Sequence, residues 1–152
     1  MDAKELMADI ARRIGLEYDG ADAFSFAADG LAVAIARLPE LDAVALTGDI
    51  GEPPPEKLEG LYKTLLGANH RFGGTAGATI SLDPETGRIA LCRVLPLATL
   101  DGDTLYAELE RFVNTMEAWS NVVSNYRGIL NTRMHSVVEE GSGNLADFAN
   151  FA

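Results

Sequence analysis

The pair Asp29-Gly30 stands between two runs of alternating residues and limits this part of the chain to very few folds. Asp and Gly both tolerate positive φ, which a two-residue turn of type I′ needs at both central positions. The turn predicts a β-hairpin and sets its register, with Phe26 opposite Val33 and Phe24 opposite Ile35. One face of this hairpin is bulky and apolar, while the other carries mostly alanine.

Alternation elsewhere predicts three more strands. Residues 43–50 continue the pattern directly after the hairpin. Residues 78–83 and 89–97 alternate on either side of the loop 83–87, which ends in a glycine. A loop of this length with a terminal glycine is typical of a hairpin connection, so these two runs predict a second hairpin.

Apolar residues at intervals of three or four predict three helices. The first spans residues 2–14 and begins with the spacing of a capping box. The second runs from Pro55 to about Leu66, and a long third helix follows Asp101. The resulting order, αβββαββα, is an α+β fold in which three helices pack against a twisted antiparallel sheet.

The 152 residues are enough for one self-sufficient domain, which we assign to residues 1–130. Beyond it the periodicity fades, and Gly141-Ser142-Gly143 with nearby acidic residues predicts a flexible acidic tail over residues 131–152. Two interpretations of Phe148 and Phe151 are open. We favour a disordered solubilising end over side chains that dock into an apolar groove.

Charge and composition exclude several classes of partner. The net charge of −11 repels nucleic-acid phosphates and anionic membrane surfaces. No apolar run approaches the roughly 20 residues of a membrane span, and the N-terminus lacks the pattern of a secretory signal. Cys92 is the single cysteine, so no intrachain disulfide forms. We predict a cytoplasmic protein without membrane insertion and without a nucleic-acid partner.

Residues with catalytic potential are sparse. His70, His135 and Cys92 show no spacing typical of a nucleophile with its base or of a metal site. The glycines of residues 73–77 follow a helix and open a strand, which is the reverse of a phosphate loop. An enzyme would have to use a pocket around Asn69 and His70, but capping of the preceding helix explains that pair better. We therefore predict no catalytic activity, no metal and no cofactor.

Two blocks of the sequence resemble a known family. The first, residues 65–83, has a double leucine near a helix end, a glycine-rich step and a strand ending in Leu82-Asp83. The second is residues 91–97, followed by Leu100-Asp101 and the last helix. Together they resemble the class I type III secretion chaperones, the Tir chaperone family, over residues 1–130. The resemblance implies a cytoplasmic homodimer that binds the extended N-terminal segment of a secreted effector and keeps it soluble and competent for secretion.

The resemblance also directs attention to two groups of side chains, for each of which ordinary core burial is the competing interpretation. Apolar side chains of the first helix and the sheet are the candidates for effector binding: Leu6, Ile10, Ile14, Phe24, Phe26, Val33 and Ile35. Residues of the second helix are the candidates for the dimer interface: Leu58, Gly60, Leu61 and Leu65, with Tyr62 nearby. Glycine inside a helix is either a tolerated defect or a sign of close approach by another helix, such as a helix of a symmetry mate.

The residues themselves support peptide capture, though less specifically. An acidic domain with bulky sheet faces and free strand edges suits an extended peptide, because main-chain hydrogen bonds supply affinity and apolar pockets select side chains. The alternative is a non-catalytic regulatory or adaptor domain of the same fold that presents one groove to a folded protein. An enzyme is the third and weakest hypothesis.

Overall fold

A computed structural model describes residues 1–126 of the chain. The predicted tail, with His135, Phe148 and Phe151, lies outside the described residues. The helices and strands are α1 (Ala3–Arg13), β1 (Ala23–Ala28), β2 (Leu31–Leu38), β3 (Ala43–Gly51), α2 (Leu58–Asn69), β4 (Thr79–Leu82), β5 (Ile89–Pro96) and α3 (Gly102–Asn125). This order confirms the predicted α+β arrangement.

The five strands form one antiparallel sheet in the order β1-β2-β3-β5-β4. Its first hairpin has the predicted register, with Phe26 opposite Val33 and Phe24 opposite Ile35. Asp29 and Gly30 have φ angles of 51° and 81°, as a type I′ turn requires. Strand β3 lies at the centre of the sheet, and β1 and β4 are its two edge strands.

Helices α1 and α3 pack against each other and against one face of the sheet, where the large apolar side chains gather. Helix α1 begins with the predicted capping box, in which Asp2 and Glu5 each accept the other's backbone N–H. Helix α3 begins where Asp101 accepts a hydrogen bond from the Thr104 N–H at 2.7 Å. An ion pair of 2.9 Å between Arg13 and Asp103 joins the two helices.

Helix α2 lies beside β4 and begins three residues later than the sequence predicts. The predicted start at Pro55 is wrong because Lys57 adopts a left-handed conformation with φ 64°, which interrupts the helix at that point. The helix also continues beyond Leu66 to Asn69. Its inward side chains Leu61 and Leu65 join the core.

The second face of the sheet, which we call the open face, carries small side chains. Its exposed members are Ala23, Ser25, Ala27, Ala32, Thr47, Thr79, Ser81 and Val94. This is the flat alanine-rich face that the hairpin pattern predicts. Within residues 1–126, no helix has both the length and the apolar character that crossing a membrane demands.

Candidate functional site

Three aromatic rings lie together at the β1 edge of the sheet, on the face that carries the helices. The ring centroids of Tyr18 and Phe24 are 5.6 Å apart, and those of Phe24 and Phe26 are 6.3 Å apart. Phe24 and Phe26 share a face because alternate residues of a strand point to the same side. Tyr18 reaches them from the connection that follows α1. We call these three rings the aromatic cluster; each is half-buried, so each presents surface to solvent.

Among residues 1–126, the main chain of β1 has no partner on the side that faces away from β2. Ala28 and Leu31 flank the two-residue turn and form a hydrogen-bonded pair, so by alternation Ala27, Ser25 and Ala23 direct their N–H and C=O groups outward. Within the described part of the chain, no side chain or loop hydrogen-bonds to the main chain of β1 on that side. This edge can therefore accept a further strand.

Charged and polar groups hold the connection before β1 in place. Asp22 pairs with Arg37 at 3.1 Å and with Lys4 at 3.9 Å. The Tyr18 hydroxyl donates to the Ala21 carbonyl at 2.6 Å. Partial burial raises the pKa of Tyr18, and the carboxylates of Asp22 and Asp19 raise it further, so the phenol stays protonated and able to donate.

The candidate effector-binding side chains divide into two groups. Leu6, Ile10, Val33 and Ile35 are at most 1% exposed and lie in the core, where they offer no surface to a partner in the single chain. Ile14, Phe24 and Phe26 are half-buried, and the two phenylalanines belong to the aromatic cluster. The effector-binding role stays a prediction for the whole set, and only these three side chains present surface for it.

A second apolar surface lies between α2 and the β4–β5 hairpin. It is a groove of about 200 Å³, lined by Tyr62, Leu65, Leu66, Ser81, Leu82 and Ile89. Leu66 is 68% exposed and Leu82 is 49% exposed, although both are large and apolar. We call this surface the α2–β4 groove. Leucines exposed to this extent on facing elements mark a surface suited to a partner.

The candidate dimer residues lie on several sides of α2. Leu61 is fully buried and Leu65 is 4% exposed, so both contribute mainly to the core, although Leu65 also borders the α2–β4 groove. Leu58 is exposed at the first turn of the helix. The neighbour of Gly60 is Tyr126 of the same chain, whose hydroxyl would clash with an added Cβ. Gly60 therefore makes room for the end of α3 of the same chain. The sequence pattern alone also allowed a helix of a symmetry mate at this position.

The polar pair after α2 has a structural use that the sequence did not reveal. His70 is the C-cap of α2, where its backbone N–H donates to the Gly67 carbonyl, so the predicted capping by this pair is confirmed for His70. The side chain of Asn69 instead hydrogen-bonds the main chain of Ile80 in β4. His70 is exposed. No cluster of three or more metal-ligating side chains occurs among residues 1–126.

Three residues that shape these surfaces were not singled out from the sequence. Tyr18 lies outside the predicted helices and strands, and only its short distance from the phenylalanines in sequence is a signal for the contact. Leu66 ends the predicted second helix, and helical periodicity alone does not show which margin of a broad apolar stripe faces the core. Leu82 was assigned to a strand, and only the position of α2 makes it part of a groove.

Comparison with known proteins gives one family match, and no curated protein matches the sequence. The family model described as "Tir chaperone protein (CesT) family" matches residues 5–120. That range includes the aromatic cluster, the β1 edge and the α2–β4 groove.

Solved structures with the same fold are available at low sequence identity. A chain of the ExsC–ExsE complex is 24% identical with a TM-score of 0.67, covering 81% of this chain and 97% of that one. A chain of the HopA1–SchA chaperone–effector complex is 20% identical with a TM-score of 0.61, covering 78% and 92%. A chain of the heterodimeric ExoU–SpcU complex from the type III secretion system of Pseudomonas aeruginosa is 21% identical with a TM-score of 0.59, covering 80% and 95%. These similarities establish the fold.

Proposed function

We propose that this chain, which belongs to the Tir chaperone protein (CesT) family, binds the extended N-terminal segment of a secreted effector and keeps that segment soluble and competent for secretion. The observation that carries the proposal is the free β1 edge beside the aromatic cluster. A peptide strand added there would satisfy the outward main-chain groups of Ala23, Ser25 and Ala27. Its alternate side chains would lie on the same face as Phe24 and Phe26, against their exposed surface.

The combination of a strand edge and aromatic rings suits an unfolded guest. Ordering a flexible segment costs about 2–5 kcal/mol or more of the gross interaction energy, so binding needs several favourable contacts along the chain. Main-chain hydrogen bonds supply contacts independent of sequence, and the rings add apolar burial at fixed spacing. The similar structures described as complexes, HopA1–SchA among them, support a guest of this kind.

We propose further that the protein is a homodimer formed through the α2–β4 groove. A second copy would cover Leu66 and Leu82, which are otherwise exposed, and would extend the contact to Tyr62 and Leu58. Burial of apolar area contributes roughly 25 cal/mol per Å², so two such surfaces facing each other favour association. A twofold dimer then places two β1 edges on one assembly, which suits a guest that wraps around it.

The proposal includes a cytoplasmic location and the absence of catalytic activity. The charge of −11 keeps a protein with exposed apolar surfaces soluble and speeds encounter with basic guests. The alternative adaptor function differs in its partner, because an adaptor would hold a folded protein.

Copurification from the native host, followed by limited proteolysis, separates the two functions. A chaperone retains a short N-terminal fragment of one protein, which is degraded rapidly in the absence of the chaperone. Recovery of an intact folded domain would support the adaptor function instead. The protected fragment, made as a synthetic peptide, then serves as the ligand for quantitative binding.

Substitution of Ser25 by proline tests the position of the guest. Proline removes an outward N–H and is tolerated on edge strands, so Ser25→Pro should fold while its affinity for the peptide falls at least about tenfold. The matched control is Ser25→Val, which keeps the N–H and should bind within about twofold of the original protein. Equal affinity of the folded Pro and Val variants would show that the guest does not pair with β1.

A further inference from the structure

The side chain of Asn69 takes the place of a neighbouring strand at the β4 edge. Its Nδ2 donates to the Ile80 carbonyl at 2.9 Å, and its Oδ1 accepts from the Ile80 N–H at 2.8 Å. One amide group thus makes both of the hydrogen bonds that a residue of an added strand would make with Ile80. Asn69 is the last residue of α2, and Ile80 is the second of the four residues of β4.

These two bonds lie on the side of β4 that faces away from the rest of the sheet. Ile80 is opposite Leu91 of β5, and because Asn69 binds both of its main-chain groups, the pair is of the non-hydrogen-bonded kind. The N–H of Ala78, two residues earlier on the same side, donates to the Thr75 carbonyl at 3.0 Å. The outward side of β4 is therefore occupied along its first half, and a single further residue, Leu82, follows before the turn.

We propose that Asn69 closes the β4 edge to strand addition, so that the sheet accepts an extended peptide at β1 and not at β4. The proposal rests on the proposed function for the identity of the peptide, but the closure itself concerns this chain alone. The β4 edge is occupied by Asn69, whereas nothing within residues 1–126 binds the outward main chain of β1. A sheet with one receptive edge directs its guest to a single position and does not polymerise through the other edge.

Removal of the amide tests the closure. In Asn69→Ala, we expect the Ile80 amide to exchange its hydrogen at least about tenfold faster, measured by NMR at a temperature well below the melting midpoint. We also expect the variant to form species larger than those of the original protein in sedimentation velocity, because β4 edges become free to pair. The matched control is Asn125→Ala, which removes an asparagine from the exposed end of α3 and should change neither measurement.

A role limited to attaching α2 to β4 predicts a different result. In that case, Asn69→Ala lowers the melting midpoint without producing larger species. The double variant Asn69→Ala with Thr79→Lys separates the two roles, since Thr79 is exposed on β4 outside the α2–β4 groove and a lysine on an edge strand discourages pairing without restoring the lost hydrogen bonds. Closure predicts that the double variant returns to the size distribution of the original protein, while the Ile80 amide still exchanges its hydrogen fast. Larger species that persist with lysine in place would overturn the proposal.

A second single variant covers the case in which Asn69→Ala does not fold. Asn69→Asp keeps the size of the side chain but places a carboxylate oxygen, which cannot donate, where the donating group faces the Ile80 carbonyl. Because two acceptor oxygens repel each other, we expect the Ile80 amide to exchange its hydrogen faster than in the original protein, as in Asn69→Ala. Exchange as slow as in the original protein would contradict the assigned geometry. These measurements use no guest, so they remain valid even if the Ser25→Pro experiment were to disprove binding at β1.

Discussion

The aromatic cluster and the α2–β4 groove are both apolar surfaces, but they differ in what lies beside them. The aromatic cluster adjoins a strand whose outward N–H and C=O groups have no partner among residues 1–126, so this surface combines apolar contact with directional hydrogen bonding. The α2–β4 groove adjoins a strand whose outward main chain Asn69 partly occupies. It offers leucine and tyrosine side chains, which recognise shape and apolar area.

Apolar exposure alone therefore does not identify the kind of partner that a surface binds. A free strand edge favours an extended chain, because such a chain brings its own unsatisfied main-chain groups. A groove of side chains with a closed edge favours a preformed surface, because that surface has already satisfied its main chain. The same sheet therefore suits a guest at one edge and a second copy of the protein at the other.

The largest effect expected from a change in either surface is the loss of the proposed dimer. Leu66→Asp places a charge in the α2–β4 groove, where association would have to bury it without a partner. We expect the dissociation constant to rise by about 100-fold or more, measured by sedimentation equilibrium, with an unchanged melting midpoint for the monomer. Leu41→Asp is the matched control, since Leu41 is 61% exposed outside both surfaces. Equal dissociation constants for the two variants would show that the α2–β4 groove is not part of the dimer interface.

An intermediate effect is expected at the aromatic cluster. Phe24→Ala removes the central ring, which contacts both Tyr18 and Phe26. We expect the affinity for the protected effector peptide to fall about tenfold in isothermal titration calorimetry, because buried aromatic side chains dominate binding surfaces. The dimer should persist, which separates this surface from the groove. Val94→Ala, on the open face, is the control, and a comparable loss of affinity there would shift the guest to that face.

The smallest effect is expected outside both surfaces, at the start of α3. Hydrogen bonds from the Thr104 N–H and side chain lower the pKa of Asp101 below its ordinary 3.8. A lowered pKa contributes stability that is present above the unfolded value and is lost as pH falls through the folded value. Asp101→Ala should therefore lower the melting midpoint at neutral pH. The difference in melting midpoint between the variant and the original protein should become smaller below pH 3.8.

Calorimetric melting curves of the original protein and Asp101→Ala across this pH range provide the measurement. Binding of the peptide and dimerisation at pH 7 should be unchanged in the variant. A change in peptide affinity or in dimerisation would show that the aromatic cluster or the α2–β4 groove depends on the start of α3. The two surfaces would then not be independent of that helix end.

Much of the fold could be predicted because its signals are local. The register of the first hairpin follows from the φ demands of Asp29-Gly30 and from strict alternation, and the capping box of α1 is a four-residue pattern. The start of α2 could not be predicted, since the left-handed conformation of Lys57 leaves no mark in the periodicity. For the candidate site, Phe24 and Phe26 were found from alternation, whereas Tyr18 depends on how the connection after α1 folds back.

Which residues share a face follows from the sequence alone, because side-chain direction repeats with the period of a strand or helix. The order of elements and the acidic, cysteine-poor character of the chain follow from it as well. Which apolar side chains are covered depends on how the elements pack. Leu6 and Ile10 became core, while Leu66 and Leu82 stayed exposed, because burial depends on the element that lies opposite. The closure of β4 by Asn69 was decided in the same way, since it joins residues whose proximity no local pattern encodes.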